Sequence, residues 1–130
     1  PGALDMVNFG PPDTVPEKFK DRKFYQHNPT VTLMRTTVEE NAELGRIMAQ
    51  KLSQAKGPTT VVIPRKGVSA IDKEGQPFYS AEAEAAWIEN LMANLAGNVT
   101  VIEMDNHIND DAFAAKLAET LLEHLKREAL

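Results

Sequence analysis

Four apolar runs, at residues 4–7, 31–34, 59–63 and 99–104, each stop abruptly at a polar cluster. Their length and β-branched content suit buried strands. Between and after them, apolar residues recur at helical spacing: Leu44, Ile47, Met48 and Leu52, then Trp87, Ile88, Leu91 and Leu95, then Phe113, Leu117, Leu121 and Leu125. Each set forms one stripe on a helix. Thr36 and Thr37 each have a glutamate three residues on, Glu39 and Glu40, which gives two overlapping capping boxes for the first helix. Gly57-Pro58 ends it. Ser80 caps the second helix and Gly97-Asn98 closes it, while Asn109 or Asp110 opens the third, whose Lys126 and Arg127 complement the helix dipole.

Two stretches depart from this alternation. Residues 10–30 contain Pro11, Pro12, Pro16 and Pro29 and read as a long loop, with at most a short helix near residues 17–22 and with Phe19, Phe24 and Tyr25 to pack it. Asp72-Lys73-Glu74-Gly75 is turn chemistry that tips a small hairpin. The alternation as a whole predicts an α/β fold, a three-layer sandwich with a mostly parallel sheet of about four strands. Its clearest unit, strand-helix-strand over residues 31–63, should cross over right-handed.

Parallel strands would align the four clusters on one rim, where open α/β sheets bind ligands. These are Asn8-Phe9-Gly10, Arg35-Thr36-Thr37, Arg65-Lys66-Gly67-Val68-Ser69 and Asp105-Asn106-His107-Ile108-Asn109. At the second cluster a strand feeds a helix start, so free N–H groups and the dipole converge where Arg35 can clamp an anion. Capping alone accounts for Thr36 and Thr37, but it leaves the arginine unexplained. At the third cluster, Arg65, Lys66, Gly67 and Ser69 can wrap an anionic ligand or can equally form a solvated basic turn. The phosphate fingerprints G-x-x-x-x-G-K-[ST] and G-x-G-x-x-G are absent. At the fourth, His107 with Asp105 could act as an acid–base pair, or as a loop residue beside a helix cap. A triad of Ser69, His107 and Asp105 can be drawn only weakly. His27 falls on the opposite rim and His124 in the last turns of the final helix, and three histidines so dispersed give no metal-ligand spacing.

Composition narrows the partners. With 130 residues, 42% hydrophobic and 25% charged, the chain has the balance of one ordinary globular domain. It contains no cysteine, which excludes disulfides, thiolate metal sites and cysteine nucleophiles and fits a cytoplasmic location. A net charge of −5 argues against nucleic-acid or membrane partners, and no run is long enough to span a bilayer. The chain opens Pro1-Gly2-Ala3 and enters an apolar run at once, so a longer polypeptide is expected.

Several of these segments together resemble the tomato mosaic virus resistance protein family, whose bacterial and fungal members are mostly described as ATP-binding domain proteins of unknown function. The resemblance rests on residues 2–10, on His27-Asn28-Pro29 followed by Thr32 to Thr37, on Ile63-Pro64 with Gly67, Ser69 and Asp72, and on His107-Ile108-Asn109-Asp110. It runs the length of the chain. It implies the second of two Rossmann-like subdomains, an N-terminal lobe of the same protein as partner, and a homo-oligomer. It also implies ATP, with Mg, or a similar small phosphorylated ligand held between the lobes. The matching positions are Arg35, Thr36, Thr37, Gly67 and Ser69, with Asn8, Gly10 and His107 beside them. A nucleotide- or phosphate-ligand-binding lobe is therefore the first expectation. An enzyme acting on a phosphorylated or carboxylated metabolite through His107 is the second, and a protein-interaction module the third.

Overall fold

A computed structural model describes residues 1–128 as an α/β fold built on two separate sheets. Strands β1 (Met6–Phe9), β2 (Phe24–Asn28) and β3 (Val31–Arg35) form an antiparallel sheet in the order β1-β3-β2. Helix α1 (Val38–Ser53) leads to β4 (Thr59–Pro64), α2 (Ala81–Asn94) to β5 (Val99–Met104), and α3 (Asp111–Glu128) follows. β4 and β5 pair in parallel, in register from Thr59↔Val99 to Pro64↔Met104.

The expected sheet of about four mostly parallel strands is thus replaced by a parallel pair and an antiparallel triplet. The reason is connection length. Pro29 and Thr30 alone join β2 to β3, and parallel strands need a crossover of a dozen residues or more. The Asn28 side-chain oxygen accepts from the Thr30 N–H at 2.9 Å and from its hydroxyl at 3.0 Å, which closes that hairpin. β2 itself lies in what reads as loop. The helix expected near residues 17–22 is a single 3-10 turn at Glu17–Phe19. The parallel β-α-β unit is β4-α2-β5, because β3 and β4 belong to different sheets.

The three helices form where expected, but Thr36 does not cap α1, and α1 and α2 end at Ser53 and Asn94, a few residues before Gly57-Pro58 and Gly97-Asn98. Thr37 caps α1 in a capping box: its hydroxyl accepts from the Glu40 N–H at 3.1 Å, and the Glu40 carboxylate accepts from the Thr37 N–H at 2.8 Å. Burial would raise the Glu40 carboxyl, yet it lies below the ordinary value because the Arg22 guanidinium and the Thr37 N–H bond its charged form. The Ser80 hydroxyl caps α2 through the Ala83 N–H at 3.2 Å. Trp87, Ile88 and Leu91 of α2 pack with Ala49, Val61 and Ile63 in the main core. In α3, Phe113 is buried, whereas Leu117, Leu121 and Leu125 are about half exposed. Among the described residues no helix is long and apolar enough to cross a membrane.

The α1–α2 crossing is close enough that a Cβ at Gly45 would strike the Trp87 carbonyl oxygen. Overpacking costs roughly 1–3 kcal/mol, and removing a mid-helix glycine returns roughly 0.5–1 kcal/mol. Gly45→Ala is therefore expected to lower the urea midpoint despite alanine's better helix propensity. An unchanged or raised midpoint would show that the helices can move apart freely.

Candidate functional site

The carboxyl ends of β4 and β5 open into a cleft of about 540 Å³. Arg65, Lys66 and Lys73 supply cations to its walls, and Tyr79, Glu84 and His107 complete the part that matters chemically. Arg65 and Lys66 follow directly on β4, so the parallel ladder fixes their position. The Arg65 N–H bonds the Met104 carbonyl at 2.9 Å and the Lys66 N–H the Asn106 carbonyl at 3.0 Å. Their side chains also pair with acids of the β5 end, Arg65 with Glu103 at 2.5 Å and Lys66 with Asp105 at 3.3 Å. These are exposed pairs of small energy, so the cations remain available to an arriving anion.

Gly67 turns the chain beneath this wall. Its φ of +122° lies in the left-handed region, and a Cβ there would collide with the Asp72 carbonyl oxygen. The close approach lets the loop fold back into the Ser69↔Asp72 bridge. His107 holds the loop from the other side. Its Nδ1 accepts from the Asn109 N–H at 3.1 Å, which leaves Nε2 to donate to the Ser69 carbonyl at 2.7 Å. Both ring nitrogens are thereby engaged by backbone. The Ser69 hydroxyl donates to Asp5 at 2.6 Å, and Asp105 is exposed beside Lys66, so the drawn triad is not assembled. The Asp110 carboxylate accepts from the His107 N–H at 2.9 Å, and that bond, with one from Asn106, holds its pKa below the ordinary carboxylate range.

The Arg35-Thr36-Thr37 cluster lies behind the cleft rather than on its rim. Arg35 is 8% exposed and its guanidinium faces Asp72 at 3.6 Å. The Thr36 hydroxyl donates to the Leu4 carbonyl at 2.7 Å and accepts from Asn41 at 2.8 Å, and the Thr37 hydroxyl is occupied by the capping box. Burial raises the Asp72 carboxyl, opposed by Arg35 and reinforced by the neighbouring Asp5 charge. Asn8 and Gly10 lie farther away, because β1 runs antiparallel and its carboxyl end pairs with the start of β3 (Phe9↔Thr32). Asn8 and Ser69 line a different, mostly apolar hollow of about 530 Å³ with Met6, Val31, Leu33 and Ile71.

Sequence reasoning missed Asp5, Asn41, Lys73 and Glu84. Glu84 is the informative omission. An acid in the first turn of a helix is the expected dipole partner, so nothing in the sequence marks it out. In the fold its Oε1 is buried with no hydrogen-bond partner. Burial, helped by the Asp72 charge and opposed by Arg65 and Arg35, pushes its carboxyl from 4.5 up to about 7.

Two stability consequences follow. Removing one partner of a buried ion pair costs about 3–5 kcal/mol, whereas an exposed pair is worth at most about 1 kcal/mol. Arg35→Met should therefore lower the chemical-denaturation free energy far more than Arg65→Met, and equal losses would place Arg35 outside the buried seam. For Glu84, a folded value above the unfolded one means that its contribution is complete below about pH 4.5 and is lost as pH rises through about 7. The melting temperature of Glu84→Gln relative to the parent protein should therefore climb across that interval and then level off. A constant difference would mean that the carboxyl is not held protonated.

Comparison with known proteins places these residues in a wider set. The profile described as "Uncharacterised protein family (UPF0261) C-terminal domain" matches residues 1–125. A UPF0261 protein of Clostridium tetani is 52% identical over 128 residues, which is 98% of this chain and 32% of the relative. A second, from Mesorhizobium japonicum, is 45% identical over 122 residues, 92% of this chain and 31% of the relative. The ToMV resistance protein Tm-1 of Solanum lycopersicum is 45% identical over 124 residues, 94% of this chain and 16% of that protein. The chain thus spans about a third, or less, of the length of the curated relatives it matches.

Proposed function

Because the chain belongs to the UPF0261 C-terminal domain family, we propose that it forms the nucleotide- or phosphorylated-ligand-binding portion of a larger protein. The observation that carries this reading is the cleft beyond β4 and β5, where Arg65, Lys66 and Lys73 meet at the carboxyl ends of parallel strands. That is where α/β sheets take their ligands, and the cations suit phosphoryl oxygens. The proposed ligand is ATP or a phosphorylated compound like it. Mg²⁺ would arrive on the phosphates rather than in a protein cage. Arg35, Thr36 and Thr37 support the ligand wall from behind, through Asp72 and the α1 cap. Asn8 and Gly10, at the far end of β1, belong to a surface that the rest of the polypeptide would meet. In this reading the family's Rossmann-like kinship lies in the β4-α2-β5 unit, and the protein is an oligomer of the cytoplasm.

An enzyme using His107 as acid or base is less well supported, because one ring nitrogen would first have to leave its backbone partner. An interaction role has one observation in its favour: Leu117, Leu121, Leu122 and Leu125 stand 46–59% exposed on α3. Such a face fits cover by another portion of the same protein.

Thermal-shift titration of the full-length protein with ATP and magnesium tests the ligand reading. ATP should raise the midpoint, and Arg65→Ala combined with Lys66→Ala should weaken the apparent affinity roughly tenfold, about 1.4 kcal/mol. Unchanged midpoints in the parent protein, or equal shifts in the double variant, would remove the cleft from consideration.

A further inference from the structure

Within the cleft, Glu84 is at odds with its surroundings. It lines the same cavity as Arg65, Lys66 and Lys73, yet its Oε1 is buried and makes no hydrogen bond. As a carboxylate it would repel the anion those cations attract. It would also hold a charged oxygen out of water with no donor to satisfy it. As a carboxylic acid it escapes both penalties and carries an O–H that needs an acceptor. Because Glu84 lines the cleft beside those cations, an anion seated between them would accept from that O–H.

We propose that Glu84 is a ligand-contacting residue of this cleft, acting as a carboxylic acid whose O–H donates to a phosphoryl or carboxylate oxygen. This rests on the anionic-ligand reading of the site and adds what distinguishes the site from a simple basic patch: its grip depends on a proton. The groups around Glu84 favour that state. Burial and the charge of Asp72, on the loop after β4, keep the proton in place, and Arg65 and Arg35 pull the other way without prevailing. Lys66, Lys73, Glu74 and Asp110 line the same cavity, with His107 held by backbone on both nitrogens. From its own helix the Glu84 N–H bonds the Ser80 carbonyl at 3.0 Å, so the α2 cap fixes where the carboxyl projects.

The consequence is a cleft that binds an anion well when Glu84 is protonated and releases it as the carboxyl ionises, across pH values near 7. Apparent affinity falls in proportion to the fraction of competent protein. Inorganic sulfate is a suitable probe, since it does not itself titrate near neutrality. Calorimetric titration of the full-length protein should show sulfate binding weakening roughly tenfold or more between about pH 6 and about pH 8.5. Glu84→Gln, which keeps a donor but cannot ionise, should flatten that dependence. A slope retained in the variant would overturn the proposal, as would a flat profile in the parent protein that still binds sulfate. Absence of sulfate binding at every pH would instead defeat the underlying anion reading. A second measurement does not depend on the variant folding. The ¹³C carboxyl resonance of Glu84 should titrate at higher pH with saturating sulfate than without it, because a ligand that binds the protonated form stabilises that form. An unmoved titration would refute the contact.

Discussion

What joins the two sheets of this protein is a buried polar seam. β3 and β4 share no ladder hydrogen bonds, so the antiparallel triplet and the parallel pair are connected through side chains and a few backbone bonds. Asp5, Arg35, Thr36, Asn41 and Asp72 are all less than 9% exposed. Arg35 faces Asp72 across the junction, the Ser69 hydroxyl reaches Asp5 and the Thr36 N–H bonds the Asp5 carbonyl. Buried charges are tolerable only when each has a partner. That condition fixes the relative position of the two halves more narrowly than apolar packing would.

The seam also shapes the cleft. Asp72 is held by Arg35 on one side and closes the residue 67–72 loop on the other, where only glycine can occupy position 67 so near its carbonyl. With the loop folded back, Arg65 and Lys66 project from the end of β4, and His107 secures the turn by bonding Ser69. Asp72 lies close enough to Glu84 to oppose its ionisation. The cations of the cleft and Glu84 are therefore positioned by one structural element. The shape of the cleft depends on the loop, and the loop depends on the seam.

The candidate site was half legible in advance. Arg65, Lys66, Gly67 and His107 could be found because a strand end followed by cations and glycine is a local pattern, and the fold brings Arg65, Lys66 and His107 to one cleft, with Gly67 turning the loop beside it. Arg35, Thr36 and Thr37 carried an equally clear local pattern, but the same residue types serve capping and burial, and the structure commits their side chains to those roles. Glu84 and Lys73 left no trace, since an acid after a helix cap and a lysine in a turn are ordinary. What makes Glu84 unusual is the desolvation of one oxygen, a property of everything packed around α2 rather than of its neighbours in sequence.

The same division holds for the fold. The sequence by itself determined the three helices, a capping box at Thr36 or Thr37, the β4 and β5 segments and the stripe of Trp87, Ile88 and Leu91, because periodicity and capping are written within a few residues. The tertiary structure alone decided that β1 runs against β3, that Phe24–Asn28 becomes a strand, and that the Asn8 cluster lies away from the others. Strand partnership depends on what a segment meets across the sheet. Apolar alternation states that a segment will be buried, but not against which neighbour or in which direction.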